Sequence, residues 1–172
     1  MTKYVALLRG INVGGRIIKM ADLKLCFEAL GFQNVRTVLQ TGNVCFEADE
    51  TDVSELKQQI ESALSSTFGY SAKAQIIEKG RLMTIVRACP YAGDSPDFHA
   101  YVIFLEHGLA RELVTEAGTL AGPERIQLGD EVVYWWVSKG STLKSPFARY
   151  LTRAKYKDFN TNRNLRSLQK LV

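Results

Sequence analysis

Between Arg9 and Arg16 the chain reads Arg-Gly-Ile-Asn-Val-Gly-Gly-Arg, three glycines and an amide side chain framed by two guanidinium groups. A loop of this composition lets backbone N–H groups approach an anion, because glycine reaches left-handed dihedrals and has no Cβ to hold a ligand away. Arg9 and Arg16 supply the charge, Asn12 a donor and an acceptor, and Gly14 and Gly15 the close approach. The glycine spacing is not that of a dinucleotide-binding fingerprint, and no Gly-Lys-Ser/Thr closes the loop as in a triphosphate-binding loop. The competing reading is conformational: a long turn that needs positive φ at Gly14 and Gly15. A second polar turn, Gln40-Thr41-Gly42-Asn43, offers a hydroxyl and an amide. If its flanking strands lie beside the strand that ends at Arg9, both turns share one rim.

Other constellations are thinner. His99 and His107 stand in no metal-ligand spacing, and Cys26, Cys45 and Cys89 form no CxxC pair. Neither a zinc site nor a disulfide framework follows from them; we expect inert thiols, no metal and no cofactor. Ser141, Thr142 and Lys144 fall in a loop where hydroxyls are common for turn reasons. No catalytic residue is assigned. The run Phe98-His-Ala-Tyr-Val-Ile-Phe104 resembles faintly a ring-bearing RNA-recognition strand but lacks its basic-Gly start, so core packing is the expectation. Trp135 and Trp136 are adjacent and must point to opposite faces of a strand, one buried and one partly exposed.

The elements that position these groups follow from periodicity. Lys3 to Arg9 is a short apolar run ended by Gly10, a buried strand. Leu23, Cys26, Phe27 and Leu30 form one stripe of a helix closed by Gly31. Val35–Leu39 and Val44–Phe46 flank the Thr41 turn as a hairpin. Asp52 with Glu55 resembles a capping box opening a helix with the face Val53, Leu56, Ile60, Ala63 and Leu64. Ala74–Ile77 completes β-α-β-β-α-β, the split βαβ order. After a short helix around Leu82, Ile85 and Val86, and a linker candidate at Ala88–Asp97, a looser copy follows. It comprises a strand at Phe98–Leu105, a helix at Leu109–Ala117, a hairpin of Ile126–Leu128 and Val132–Val137 around Gly129-Asp130, and a helix from Pro146. A final helix is expected from a Thr161 cap through Leu165, Leu168 and Leu171. The fold class is therefore α+β, two ferredoxin-like halves with antiparallel sheets, residues 1–80 and 81–172, the second ending in a basic C-terminal helix.

Composition agrees with globular packing: 46% hydrophobic and 23% charged in 172 residues. The apolar run Val5–Leu8 is too short for a signal-peptide core, and no stretch is long enough for a membrane span, so the expected location is the cytoplasm. The net charge of +4 is unevenly divided. Residues 139–172 hold nine Lys or Arg against Asp158 alone, leaving 13 basic and 17 acidic residues before them. Such asymmetry favours an anionic partner or docking of the tail on an acidic body; a solvated basic helix is the plain alternative.

Val5–Gly15 (VALLRGINVGG), Met20-x-x-Leu23 and Leu39–Phe46 (LQTGNVCF) together resemble a bacterial family, domain of unknown function 1697. So do Gly31-Phe32, Val35-x-Thr37, Phe68-Gly69, Pro90-Tyr91, Thr161-x-Arg163-Asn164 and Lys170-Leu171. The resemblance implies two ferredoxin-like halves and names no activity. Thr41-Gly42-Asn43 stands where the family has Ser-Gly-Asn, which keeps the hydroxyl. Leu165 stands where it has tryptophan. The expected function is binding of an anionic, phosphate-bearing ligand, a nucleotide or nucleic acid. Its expected site is the rim of Arg9, Asn12, Gly14, Gly15, Thr41 and Asn43, with Arg163 and Asn164 folding back onto it from the start of the last helix. The alternatives are an enzyme acting on a small anionic metabolite at the same rim, or a ligand-free scaffold or oligomer.

Overall fold

A computed structural model describes residues 1–12 and 14–172; Val13, part of the glycine-rich loop, lies outside the described residues. The chain divides into two compact units, Met1–Met83 with Lys170–Val172, and Thr84–Gln169.

The first unit contains β1 (Thr2–Arg9), α1 (Met20–Ala29), β2 (Gln33–Val38), β3 (Asn43–Ala48), α2 (Val53–Phe68) and β4 (Lys73–Glu78), with α3 (Lys79–Arg87) carrying the chain into the second. Its four-stranded antiparallel sheet has the order β2-β3-β1-β4. This is the split βαβ arrangement. Tyr4, Ala6 and Leu8 alternate onto the face that meets Leu23 and Phe27 of α1 and Leu56, Ile60 and Leu64 of α2. Phe27, Phe32, Phe46 and Tyr4 form a linked aromatic cluster with centroid separations of 4.7 to 6.1 Å. Such pairs add to the burial that holds helices on sheet.

Asp52 caps α2 as expected, its side chain accepting from Ser54 N and Glu55 N. The reciprocal bond differs from the capping-box expectation: Asp52 N donates to Glu50 Oε1, from the residue two before it, and not to Glu55. Gly69, at φ 68°, closes the helix in the left-handed conformation. One position on the β4 edge of the sheet, Ala74, is also closed. Leu8 turns its N–H toward Gly42, so Ala74, opposite Leu8, turns its peptide groups away from β1. Ala74 N donates to Glu61 Oε1 (3.0 Å) and Lys57 Nζ donates to Ala74 O (2.8 Å), an ion pair from α2 occupying both groups. Exposed edge groups of this kind otherwise template pairing with another chain.

The second unit repeats the order with β5 (Phe98–Leu105), α4 (Leu109–Ala117), β6 (Arg125–Leu128), β7 (Val132–Ser138), α5 (Pro146–Leu151), α6 (Ala154–Lys157), β8 (Asn160–Asn164) and α7 (Leu165–Gln169). Its sheet order is β6-β7-β5-β8, position for position that of the first. Two corrections follow. Thr161, expected as a helix cap, lies in β8 opposite Phe104, and the terminal helix shrinks to Leu165–Gln169. The linker candidate Ala88–Asp97 lies inside the second compact unit.

Ile103, Leu105, Val133, Trp135 and Val137 pack beneath Leu113, Phe147 and Tyr156. A buried carboxylate joins this core: Glu124, 4% exposed, accepts from Trp135 Nε1 (2.8 Å) and from Phe147 N (3.2 Å) at the start of α5. Trp136 faces the other way, stacked against Phe98 (4.8 Å) and Tyr91 (5.5 Å). Among the described residues no helix is long and apolar enough to cross a membrane.

Candidate functional site at the end of the first sheet

The glycine-rich loop leaves β1 at Gly10 and enters α1 at Met20. Gly10, Gly14 and Gly15 all have positive φ, as does Asn12 at 54°. Asparagine tolerates this region better than most residues because its amide bonds locally. Here Asn12 Oδ1 accepts from Ile18 N (2.8 Å), closing the loop on itself, while Asn12 Nδ2 donates to Gln40 O (2.7 Å) across to the hairpin turn. Leu8 N donates to Gly42 O (2.8 Å) beside this bridge. Gly42 is required by both φ, 85°, and space: a Cβ there would lie 2.5 Å from Ile11 Cγ2 and 3.0 Å from Leu8 Cβ. The two turns, about thirty residues apart in sequence, are thus in contact, and one amide side chain ties them.

The expected site residues divide. Asn12, Gly14, Gly15 and Thr41 sit where the loop meets the turn, with the two glycines and Thr41 exposed. Asn43 does not face the loop. It is fully buried opposite Leu7, and its Nδ2 donates to Val38 O (3.0 Å) and Thr41 Oγ1 (2.8 Å). Register explains this: Asn43 shares a sheet face with Leu7, whereas Ile11 and Ile18 anchor the loop in the core on the helix-covered face. Asn43 braces the turn, and the Thr41 hydroxyl accepts its bond. Arg9 is half-buried at the end of β1, opposite Lys73 of β4, and alternation puts both on the face of Leu7.

Arg163 and Asn164 belong to the second unit and to strand β8, not to the start of a helix as expected. Arg163 pairs in register with Val102; burial lowers its pKa to about 10, which leaves it charged at neutral pH. Asn164 Oδ1 accepts from Arg166 N (2.9 Å), and its amide meets His99 Nδ1 at 3.5 Å. Leu165 is buried.

Sequence reasoning missed Lys19, Lys73, Gln40 and the apolar neighbours Ile17 and Met20. Asn12, Ile17, Ile18, Lys19, Met20 and Gln40 line a cleft of about 400 Å³ beside the loop. Arg16 stacks its guanidinium 4.6 Å above the Tyr70 ring and donates to Gly10 O (3.4 Å). Tyr70 is buried, and its hydroxyl finds no hydrogen-bond partner among the described residues; desolvation raises its pKa against the opposing pull of Arg16. One signal was available in the sequence. The three segments that meet at this end, residues 9–20, 37–46 and 69–77, contain Arg9, Arg16, Lys19 and Lys73 and no Asp or Glu. The carboxylate that enters from α2, Glu61, is held by Lys57 and Ala74 N.

The family model described as Protein of unknown function (DUF1697) matches residues 1–134, and the chain belongs to that family. The solved structure of the conserved bacterial protein SP0830 from Streptococcus pneumoniae is similar in fold. It aligns with a TM-score of 0.79 at 21% identity, over 99% of this chain and 96% of that one. An unknown protein from Galdieria sulphuraria aligns over 95% of this chain and 96% of its own at 12% identity. Its TM-score of 0.29 is too low to bear on the fold. No curated protein matches the chain.

Proposed function

We propose that this member of the DUF1697 family binds an anionic, phosphate-bearing ligand where the glycine-rich loop meets the Thr41 turn. One observation carries the reading: acid-free segments bearing four cations converge on a loop pinned open by Asn12. Among the described residues Arg16, Lys19 and Lys73 form no ion pair. Cations gathered without counter-charges raise the local concentration of anions. Left-handed residues at Gly10, Asn12, Gly14 and Gly15 turn the backbone in the manner of anion-binding concavities. The anchoring bonds mean that little loop entropy is lost when a ligand arrives. Arg9 and Lys73, on the other face of the sheet end, contribute field and not contact.

The same reading places the protein in the bacterial cytoplasm, where phosphate metabolites are abundant and its three free thiols stay reduced. Titration calorimetry of the full chain with inorganic pyrophosphate, nucleotides and short RNA and DNA at low salt tests the function. Saturable binding that weakens with salt and falls at least tenfold in an Arg16→Ala, Lys19→Ala double variant is expected. Absence of binding to every member of that set removes the proposal.

A further inference from the structure

The cleft beside the loop has a composition that an inorganic anion does not use. Its walls include Ile17, Ile18 and Met20, together with the amides of Asn12 and Gln40 and the ammonium of Lys19. Ile17 is 84% exposed, a β-branched apolar side chain presented to solvent two residues from a cation. Ile18, next to it, is buried in the core and fixes the wall, because its amide is held by Asn12 Oδ1. Exposed apolar side chains scattered singly need no explanation, but here one lines a concavity whose volume falls in the small-molecule range.

From this geometry we infer that the ligand is a mononucleotide, its base lying against Ile17 and Met20 and its phosphate at Lys19 and the glycine-rich backbone. The inference rests on the anion-binding reading above and narrows it. An apolar wall rewards a flat ring by removing both from water. The Gln40 side chain is exposed at the rim, and a primary amide carries donors and an acceptor that match the edge of a base. The Asn12 amide is already committed on both sides, so Gln40 is the group left to read that edge. A cleft of about 400 Å³ accommodates one base, not a stacked run, so the ligand is monomeric and not a polymer.

The test compares inorganic pyrophosphate with the four nucleoside 5′-monophosphates by calorimetry on the full chain, with Ile17→Ser and Lys19→Ala variants. Ile17 is exposed, so its replacement leaves folding intact, which circular dichroism checks. The expected pattern is that Ile17→Ser weakens the best monophosphate roughly fivefold to tenfold while leaving pyrophosphate within twofold. Lys19→Ala weakens both. A Gln40→Ala variant is expected to flatten the preference among the four bases. If pyrophosphate binds as tightly as any monophosphate and Ile17→Ser changes neither, the base-binding wall is refuted while the anion site stands. If a homopolymeric RNA binds more than tenfold tighter than its monomer, the monomeric assignment is overturned. If neither pyrophosphate nor any monophosphate binds, the mononucleotide assignment is overturned, and the anion-binding reading falls with it only when RNA and DNA fail to bind as well.

Discussion

The two units carry the same strand order, yet they treat the equivalent corner in opposite ways. In the first, Gly10 to Lys19 forms a long connection between β1 and α1, crowned by cations and tied to the β2–β3 turn through a neutral amide. In the second, Glu106, His107 and Gly108 span the gap between β5 and α4, and the facing turn supplies Glu131. Its carboxylate accepts from Gly108 N (3.0 Å) and pairs with His107 Nδ1 (3.2 Å). A carboxylate of the protein itself thus sits on the loop amide in one unit, while in the other the loop glycines Gly14 and Gly15 are exposed. The wider charges follow suit. Lys155 of α6 pairs with Glu112 and Glu116 of α4, and Arg153 reaches Glu116, so part of the basic tail is satisfied within its own unit. A shared fold fixes where a corner lies; the residues placed there decide whether it is closed from within or left available.

The largest effect that would break this comparison is expected at Gly42. Gly42→Ala puts a methyl group into Ile11 and Leu8 at positive φ. It should cost about 3 kcal/mol or more in denaturant unfolding. A loss under about 1 kcal/mol would mean that loop and turn are not in contact. Next in size is Asn12→Ala, which removes the bridge to Gln40 and the support of Ile18 N. We expect about 1–2 kcal/mol and faster hydrogen exchange at the Ile18 amide; unchanged exchange there would show that the loop holds itself.

How far the sequence reveals such corners depends on what carries them. The first unit was legible because each strand and helix has its own apolar period: Tyr4, Ala6 and Leu8 on one face, Leu56, Ile60 and Leu64 on one stripe. Strand β8 was not. Asn160-Thr-Asn-Arg-Asn has no apolar residue, its pairing comes from β5, and Leu165, Leu168 and Leu171 drew the helix too far toward Thr161. At the site, glycines and arginines announced the loop. The burial of Asn43 did not show, because which face a residue takes depends on register, and a one-residue difference reverses it. Lys73 was invisible for the same reason, since only pairing with Arg9 brings it to this end.

Smaller effects sharpen the contrast. Glu61→Ala frees the Ala74 N–H at the edge of the first sheet and is expected to cost about 1 kcal/mol. It should also raise Ala74 exchange; protection equal to wild type would show that the pair does not guard the edge. Glu131→Gln, which keeps the shape of the second corner but not its charge, should move stability by less than about 0.5 kcal/mol. A larger loss would make that carboxylate a structural keystone and not a lodger on the loop.

The smallest signal is electrostatic. The hydrogen bond from Lys155 Nζ (2.8 Å) lowers the Glu116 pKa below its ordinary value. A depressed folded pKa gives stability that is present above the unfolded value and lost as pH falls through the folded one. Carboxyl titration by NMR should find the Glu116 midpoint below that of a free glutamate, and Lys155→Ala should raise it. An unmoved midpoint would separate the tail from α4.

The paired indoles of β7 turn strand alternation into an optical tool. Trp135, sealed and bonded to Glu124, should emit toward the blue and ignore iodide. Trp136, half-exposed beside Phe98, should emit further to the red and be quenched. Two neighbouring chromophores therefore report separately on the dry and the wet side of one strand, and single Trp→Phe replacements can silence either channel in turn.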